Sequence, residues 1–134
     1  LNLSILEKEE CISIKGIIRI NGKYLLVKNN RNEWELPGGR LEPNELPEET
    51  LEREIYEELN IKFKVSKIVD SWVFEVVPNK TVFIVAYLID ANSIEHSNFG
   101  LFNLEELEHM DIPKGYLNSI KNIYIGDCLL SYLT

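Results

Sequence analysis

Between Glu45 and Glu58 the chain places seven glutamates and one arginine, a net charge of −6 in a chain whose total is −8 over 134 residues. Few folded settings suit such a segment. Like charges at helical spacing destabilise a helix unless a cation compensates them, and Arg53 is the only cation inside the segment. In other respects the residues favour a helix. Pro47 suits a first turn, Glu48 and Glu49 favour the positive end of the helix dipole, and Leu51, Ile55 and Leu59 recur every fourth residue as a stripe to bury on a sheet. The spacing predicts a helix from about Leu46 to Leu59, ended by Asn60, a residue suited to a left-handed helix terminus. At about 100° per residue, Glu54, Glu57 and Glu58 fall within an arc of about 100° that borders the apolar stripe. They therefore sit at the margin of the helix–sheet contact. Carboxylates at i, i+3 and i+4 can converge on one hard divalent cation such as Mg²⁺ or Mn²⁺. The rival reading is a solvated acidic face, because Glu forms helices well. On the triplet alone that reading stays ahead, and the scarcity of basic partners counts against it.

With 134 residues, 45% of them hydrophobic and 27% charged, the chain has the profile of a single ordinary domain, 1–134, with a sizeable core. The start, LNLSILEKEE, has neither the basic lead nor the long apolar run of a signal peptide. No stretch approaches the length of about 18 apolar residues that a membrane span needs. Cys11 and Cys128 show no CxxC pattern and read as thiols of a reducing compartment. A cytoplasmic location is expected. The acidic balance argues against a nucleic-acid duplex or an anionic membrane as partner, and leaves room for a small phosphorylated ligand that brings its own magnesium.

In chain order, Cys11–Ile20 and Lys23–Lys28 read as strands joined at Asn21-Gly22 into a hairpin. Trp34–Leu36 is a short extended piece stopped by Pro37, and Gly38-Gly39 reads as a turn whose backbone a ligand can approach closely. Ile61–Val77 reads as one bent strand or two shorter ones. Thr81–Ile89 is nearly all apolar, as in a central strand buried on both faces. Asn103 looks like a cap for a short helix, and Pro113 opens a last one. This order implies a mixed sheet covered on both sides. Arg19, Lys28, Arg31 and Arg40 are candidates for phosphate contact, each also readable as a plain surface charge. Trp34, Phe74, Phe83 and Phe102 read first as core residues, with stacking on a base as the second possibility.

The run from Gly39 to Ile61 resembles the Nudix box, G-x5-E-x7-R-E-U-x-E-E-x-G-U with U aliphatic. It matches at Gly39, Glu45, Arg53, Glu54, Ile55, Glu57, Glu58 and Ile61, with Asn60 where the pattern has Gly. The lead-in WELPGG and the later segment EHSNFGLFNLEEL are similar to the family's corresponding stretches, although Leu101 stands where that segment often has Trp. The resemblance implies an α/β/α sandwich with a central mixed sheet. The implied activity is Mg²⁺-dependent hydrolysis of a phosphoanhydride in a nucleoside diphosphate linked to another group, such as a nucleoside triphosphate or an ADP-ribose-like compound. Carried over by position, Glu54, Glu57 and Glu58 would bind Mg²⁺, with the Gly38 carbonyl as a further ligand and Mn²⁺ as a possible substitute. Glu54 would be the base for water if a box carboxylate takes that role, and Glu95 is the candidate outside the box. Arg53 would pair with Glu45 and orient the catalytic carboxylates Glu54 and Glu57. A nucleotide-sensing module of the same fold without turnover is the alternative, and its expected erosion of the box acids is not seen. An unrelated acidic domain that docks a protein would leave the fixed spacing to chance. Either a monomer or a homodimer is compatible with the residues.

Overall fold

The computed structural model describes residues 9–61, 63, 65, 67–91 and 99–133, with side chains considered at 11–75, 77–91 and 99–123 within those ranges. Its elements are β1 (Glu9–Ile20), β2 (Lys23–Lys28), β3 (Trp34–Glu35), β4 (Gly38–Arg40), α1 (Pro47–Leu59), β5 (Lys67–Val77), β6 (Lys80–Asp90), β7 (Phe99–Phe102), α2 (Leu104–Glu108) and α3 (Lys114–Leu133).

Isoleucine-rich β1 organises the sheet. It runs parallel to β6 along nearly its whole length, from Glu9↔Lys80 to Arg19↔Asp90, and β6 turns back antiparallel on β5. The Asn21-Gly22 turn, with both residues at positive φ, closes the expected β1–β2 hairpin. That hairpin forks. β1 and β2 are paired only at Arg19↔Tyr24 and Ile20↔Lys23, after which β2 pairs with β3 at Val27↔Glu35 and Lys28↔Trp34. On the other arm, β1 pairs with β4 from Ser13↔Arg40 to Lys15↔Gly38. The segment from Trp34 to Arg40 therefore fills the fork, and β7 pairs with β2. The Gly38-Gly39 pair, expected as a turn, is strand.

Two cores lie on opposite sides of this mixed sheet. Leu51, Ile55 and Leu59 of α1 pack on Ile14, Ile18, Tyr87 and Ile89. All three leucine and isoleucine side chains are buried, each contributing about 1.5–3 kcal/mol relative to exposure. Ile17, Ile84, Ala86 and Leu88 face Leu107 of α2 and Tyr116 and Ile120 of α3. The result is the expected α/β/α sandwich.

Three expectations need correction. Ile61 is not in a strand, and β5 starts only at Lys67. β6 is buried on both faces only in its second half, because β5 and β6 extend past the end of α1. Phe83 and Phe74 lie on that extension and are exposed, so they are not core residues; Val73 and Ile12 are exposed beside them. Trp34 and Phe102 do pack against the core, edge to face at 5.1 Å.

Candidate functional site

The box loop and α1 are tied together by Arg53. Its Nε and Nη2 donate to the two carboxylate oxygens of Glu45 at 2.7 and 3.1 Å. Its Nη1 donates to Glu54 at 2.8 Å and stands 3.8 Å from Glu57, and Glu42 lies 3.6 Å from Nη2. Thr50, fully buried, donates its hydroxyl to Glu45 at 2.6 Å. These bonds hold the Glu45 carboxyl down at about 2 and keep the Arg53 guanidinium above its usual range. The expected Glu45–Arg53 pair is thus present as a two-pronged contact. Thr50 was not foreseen; its signal is a lone β-branched hydroxyl five residues after Glu45 on an otherwise acidic helix face. At the helix start Glu49 accepts the Leu46 N–H at 2.8 Å. At its end Asn60 takes the left-handed conformation, φ 54°, and donates its N–H to Tyr56 O at 2.8 Å.

The acids of α1 meet the fork in the sheet. A Cβ at Gly39 would collide with the Glu54 carboxylate, and a Cβ at Gly38 would run into the Ile14 carbonyl. Gly38 also has φ 142°, a backbone state closed to other residues. The two glycines let α1 press its carboxylates against the main chain of β4. Glu58 accepts a hydrogen bond from the Gly38 N–H, and burial pushes its carboxyl up to about 7; Lys15 and the Gly38 N–H oppose that rise, and Glu54 and Glu35 add to it. Among the described residues no three Asp, Glu, His or Cys side chains stand in a ready coordination shell, and Glu54 is held by Arg53.

This donor set fits a hard divalent cation. It consists of oxygen ligands only, and Glu58 is a half-buried carboxylate whose ionised form lacks sufficient positive charge around it. A cation among Glu54, Glu57 and Glu58 would supply that charge while competing with Arg53 for Glu54.

The other candidates are dispersed. Lys28 lines a cavity of about 340 Å³ with Glu35 and Glu58, donates to Asn32 Oδ1 at 3.0 Å, and lies 5.0 Å from the Trp34 ring centroid. Arg19 sits at the end of β1, paired with Asp90 at 3.2 Å. Arg31 is bound to Glu33 at 2.7 Å in the exposed loop after β2. Arg40 points to a groove with Leu41, Val73 and Phe83, not to the cavity that contains Glu58. Glu95 lies outside the described residues.

Comparison with known proteins agrees with this geometry. The NUDIX domain family model matches residues 13–120. A nucleoside triphosphatase NudI of Enterobacter sp. (strain 638) is 44% identical over 64 residues, 43% of this chain and 45% of that protein. A MutT-like protein of Streptomyces ambofaciens is 39% identical over 59 residues, 42% of this chain and 38% of that protein. The chain spans less than half the length of either relative. The crystal structure of a MutT protein from Methanosarcina mazei Go1 superposes with a TM-score of 0.73 at 26% identity, over 90% of this chain and 97% of that one. With a family match that runs from β1 into α3 and takes in the fork, the Arg53 clamp and the acidic edge of α1, the chain belongs to the Nudix domain family.

Proposed function

We propose that the chain is a Mg²⁺-dependent pyrophosphohydrolase that uses water to cleave a phosphoanhydride in a nucleoside diphosphate linked to another group. The observation that carries this reading is the seating of two box carboxylates, Glu54 and Glu58, against a glycine strand, with Glu58 in a setting that disfavours its charge. Glu54, Glu57, Glu58 and the Gly38 carbonyl would hold Mg²⁺, or Mn²⁺ in its place. Bound there, the metal would neutralise phosphate charge and lower the pKa of the attacking water. Arg53 positions Glu54, and Glu45 with Thr50 positions Arg53. Glu54 takes the proton from water if the base lies in the box, with Glu95 as the other candidate. Of the basic side chains near the hairpin, Lys28 shares a cavity with Glu58, which supports it as the one that would meet a phosphate. Arg19, Arg31 and Arg40 would contribute at most from the periphery. A nucleoside triphosphate is the first substrate to try, since one relative bears the name nucleoside triphosphatase; ADP-ribose-like compounds come second. Among the described residues no helix is long and apolar enough to cross a membrane. The same reading takes 1–134 as one domain acting in the cytoplasm, as monomer or homodimer.

The test is a panel of nucleoside triphosphates, dinucleoside polyphosphates, nucleotide sugars and ADP-ribose, assayed with Mg²⁺, with Mn²⁺ and with chelator. Metal-dependent turnover of at least one class is expected. Binding without turnover across the panel would replace the enzyme by a nucleotide sensor. Glu57→Gln should lose activity by orders of magnitude with its circular dichroism unchanged, and a fully active variant would remove Glu57 from the metal site.

A further inference from the structure

Lys15 is not explained by the layer that contains it. By the two-residue period of β1 it shares a face with Ile17, and its register partners are Gly38 on one side and Ala86 on the other. The rest of that face is the apolar core beneath α2 and α3. Lys15 is nevertheless only 7% exposed. Lysines are almost never so buried without a partner, which sets Lys15 apart from the other cations near the site. Lys15 lies near enough to Glu58 to act on it electrostatically. Among the other cations around the site, Arg53 is bound to Glu45 and Glu54 and Arg31 to Glu33, while Lys28 lines the Glu58 cavity from β2 and donates to Asn32.

A diphosphate approaching this helix meets seven glutamates within fourteen residues. A positive charge reaching in from the sheet side would offset that repulsion, and an ammonium with three donors suits a non-bridging phosphate oxygen. We propose that Lys15 is a substrate-binding residue whose ammonium donates to the diphosphate of the substrate from the sheet, opposite the carboxylates of α1. This rests on the pyrophosphohydrolase reading. It assigns β1, outside the box, a direct part in holding the substrate, and it accounts for a buried lysine in an isoleucine-rich strand.

The test is Lys15→Met, which keeps the length and removes the charge. Three quantities are compared with the parent: the melting temperature, the Kd for an α,β-methylene nucleoside diphosphate with Mg²⁺ set against the Kd for the same nucleoside, and KM and kcat for the best substrate of the panel. The melting temperature serves as the control that the variant is folded, since Lys15→Met also removes the charge that acts on Glu58. The diphosphate Kd should weaken by about tenfold or more while the nucleoside Kd stays constant, KM should rise more than kcat falls, and Lys15→Arg should recover part of the loss. Unchanged diphosphate binding in an otherwise active protein overturns the role of Lys15 and leaves the hydrolase intact, and equal weakening for nucleoside and diphosphate overturns it in favour of base contact. A parent without turnover that still binds the diphosphate through Lys15 keeps this inference and removes hydrolysis. A parent that binds neither compound removes both.

Discussion

Gly38 has the least freedom of any residue at the site. Its φ of 142° and the Ile14 carbonyl facing its missing Cβ allow no other side chain. Gly38→Ala should therefore cost about 1–3 kcal/mol or more from backbone strain alone, lower the melting temperature, and remove activity together with the fold of β4. A variant that melts like the parent would show that β4 can relocate. Asn60 is the opposite case. It already occupies the left-handed region that glycine fills in the box pattern, so Asn60→Gly should stabilise by a few tenths of a kcal/mol at most and leave kcat and KM nearly unchanged; a large loss of activity would mean that the Asn side chain serves the site. That the Asn60 conformation could be read from the residues follows from its locality, since it depends on one residue at one helix end. Gly38 reads as a turn in the sequence, and its conformation is instead imposed by a partner strand more than twenty positions earlier in the chain.

At the scale of elements, α1 was legible almost to the residue, because Pro47, the four-residue apolar repeat and Asn60 all act within the helix itself. The fork was not. That β1 leaves β2 for β4, and that Trp34–Arg40 fills the gap, depends on long-range pairing for which the β1–β2 hairpin carries no local mark. Lys15 shows the same limit: what lies beside it, Gly38 on β4 and Ala86 on β6, is set by long-range pairing. The loop-to-helix clamp has its own pH signature. The Glu45 carboxyl lies at about 2 in the fold against an ordinary value of 4.5, so the unfolded chain binds more protons between those values. The stability from the clamp is then fully present above about pH 4.5 and is lost as the pH falls toward about 2. The gap in melting temperature between the parent and Glu45→Gln should be widest near neutral pH and narrow steadily below about pH 4.5. A gap independent of pH would assign the stabilisation to hydrogen-bond geometry and not to charge.

Across the whole molecule, charge and core are divided in space. The apolar stripe of α1 packs its half of the sandwich, while Glu54, Glu57 and Glu58 on its edge bring three acids of a chain of net charge −8 to the fork. Arg53 neutralises part of that charge, and Glu58 remains in a setting where ionisation is disfavoured. The fold therefore retains an electrostatic strain at the place where its function is proposed, a local violation of otherwise consistent patterning. A ligand that binds the folded chain and not the unfolded one stabilises it by mass action, about 2.7 kcal/mol at a hundred times its Kd. For a chain of this size that corresponds to a rise in melting temperature of roughly 5–15 °C. Titration with Mg²⁺ should produce such a rise, chelator should reverse it, and Ca²⁺ should give a different midpoint because it prefers longer bonds and more ligands. The specific part of the shift resides at the acidic edge, so Glu57→Gln and Glu58→Gln should each reduce it while a substitution on the solvated back of α1, Glu52→Gln, should not. If all three variants respond alike, the ion is screening the general acidity of the surface, and the three carboxylates do not form a metal site.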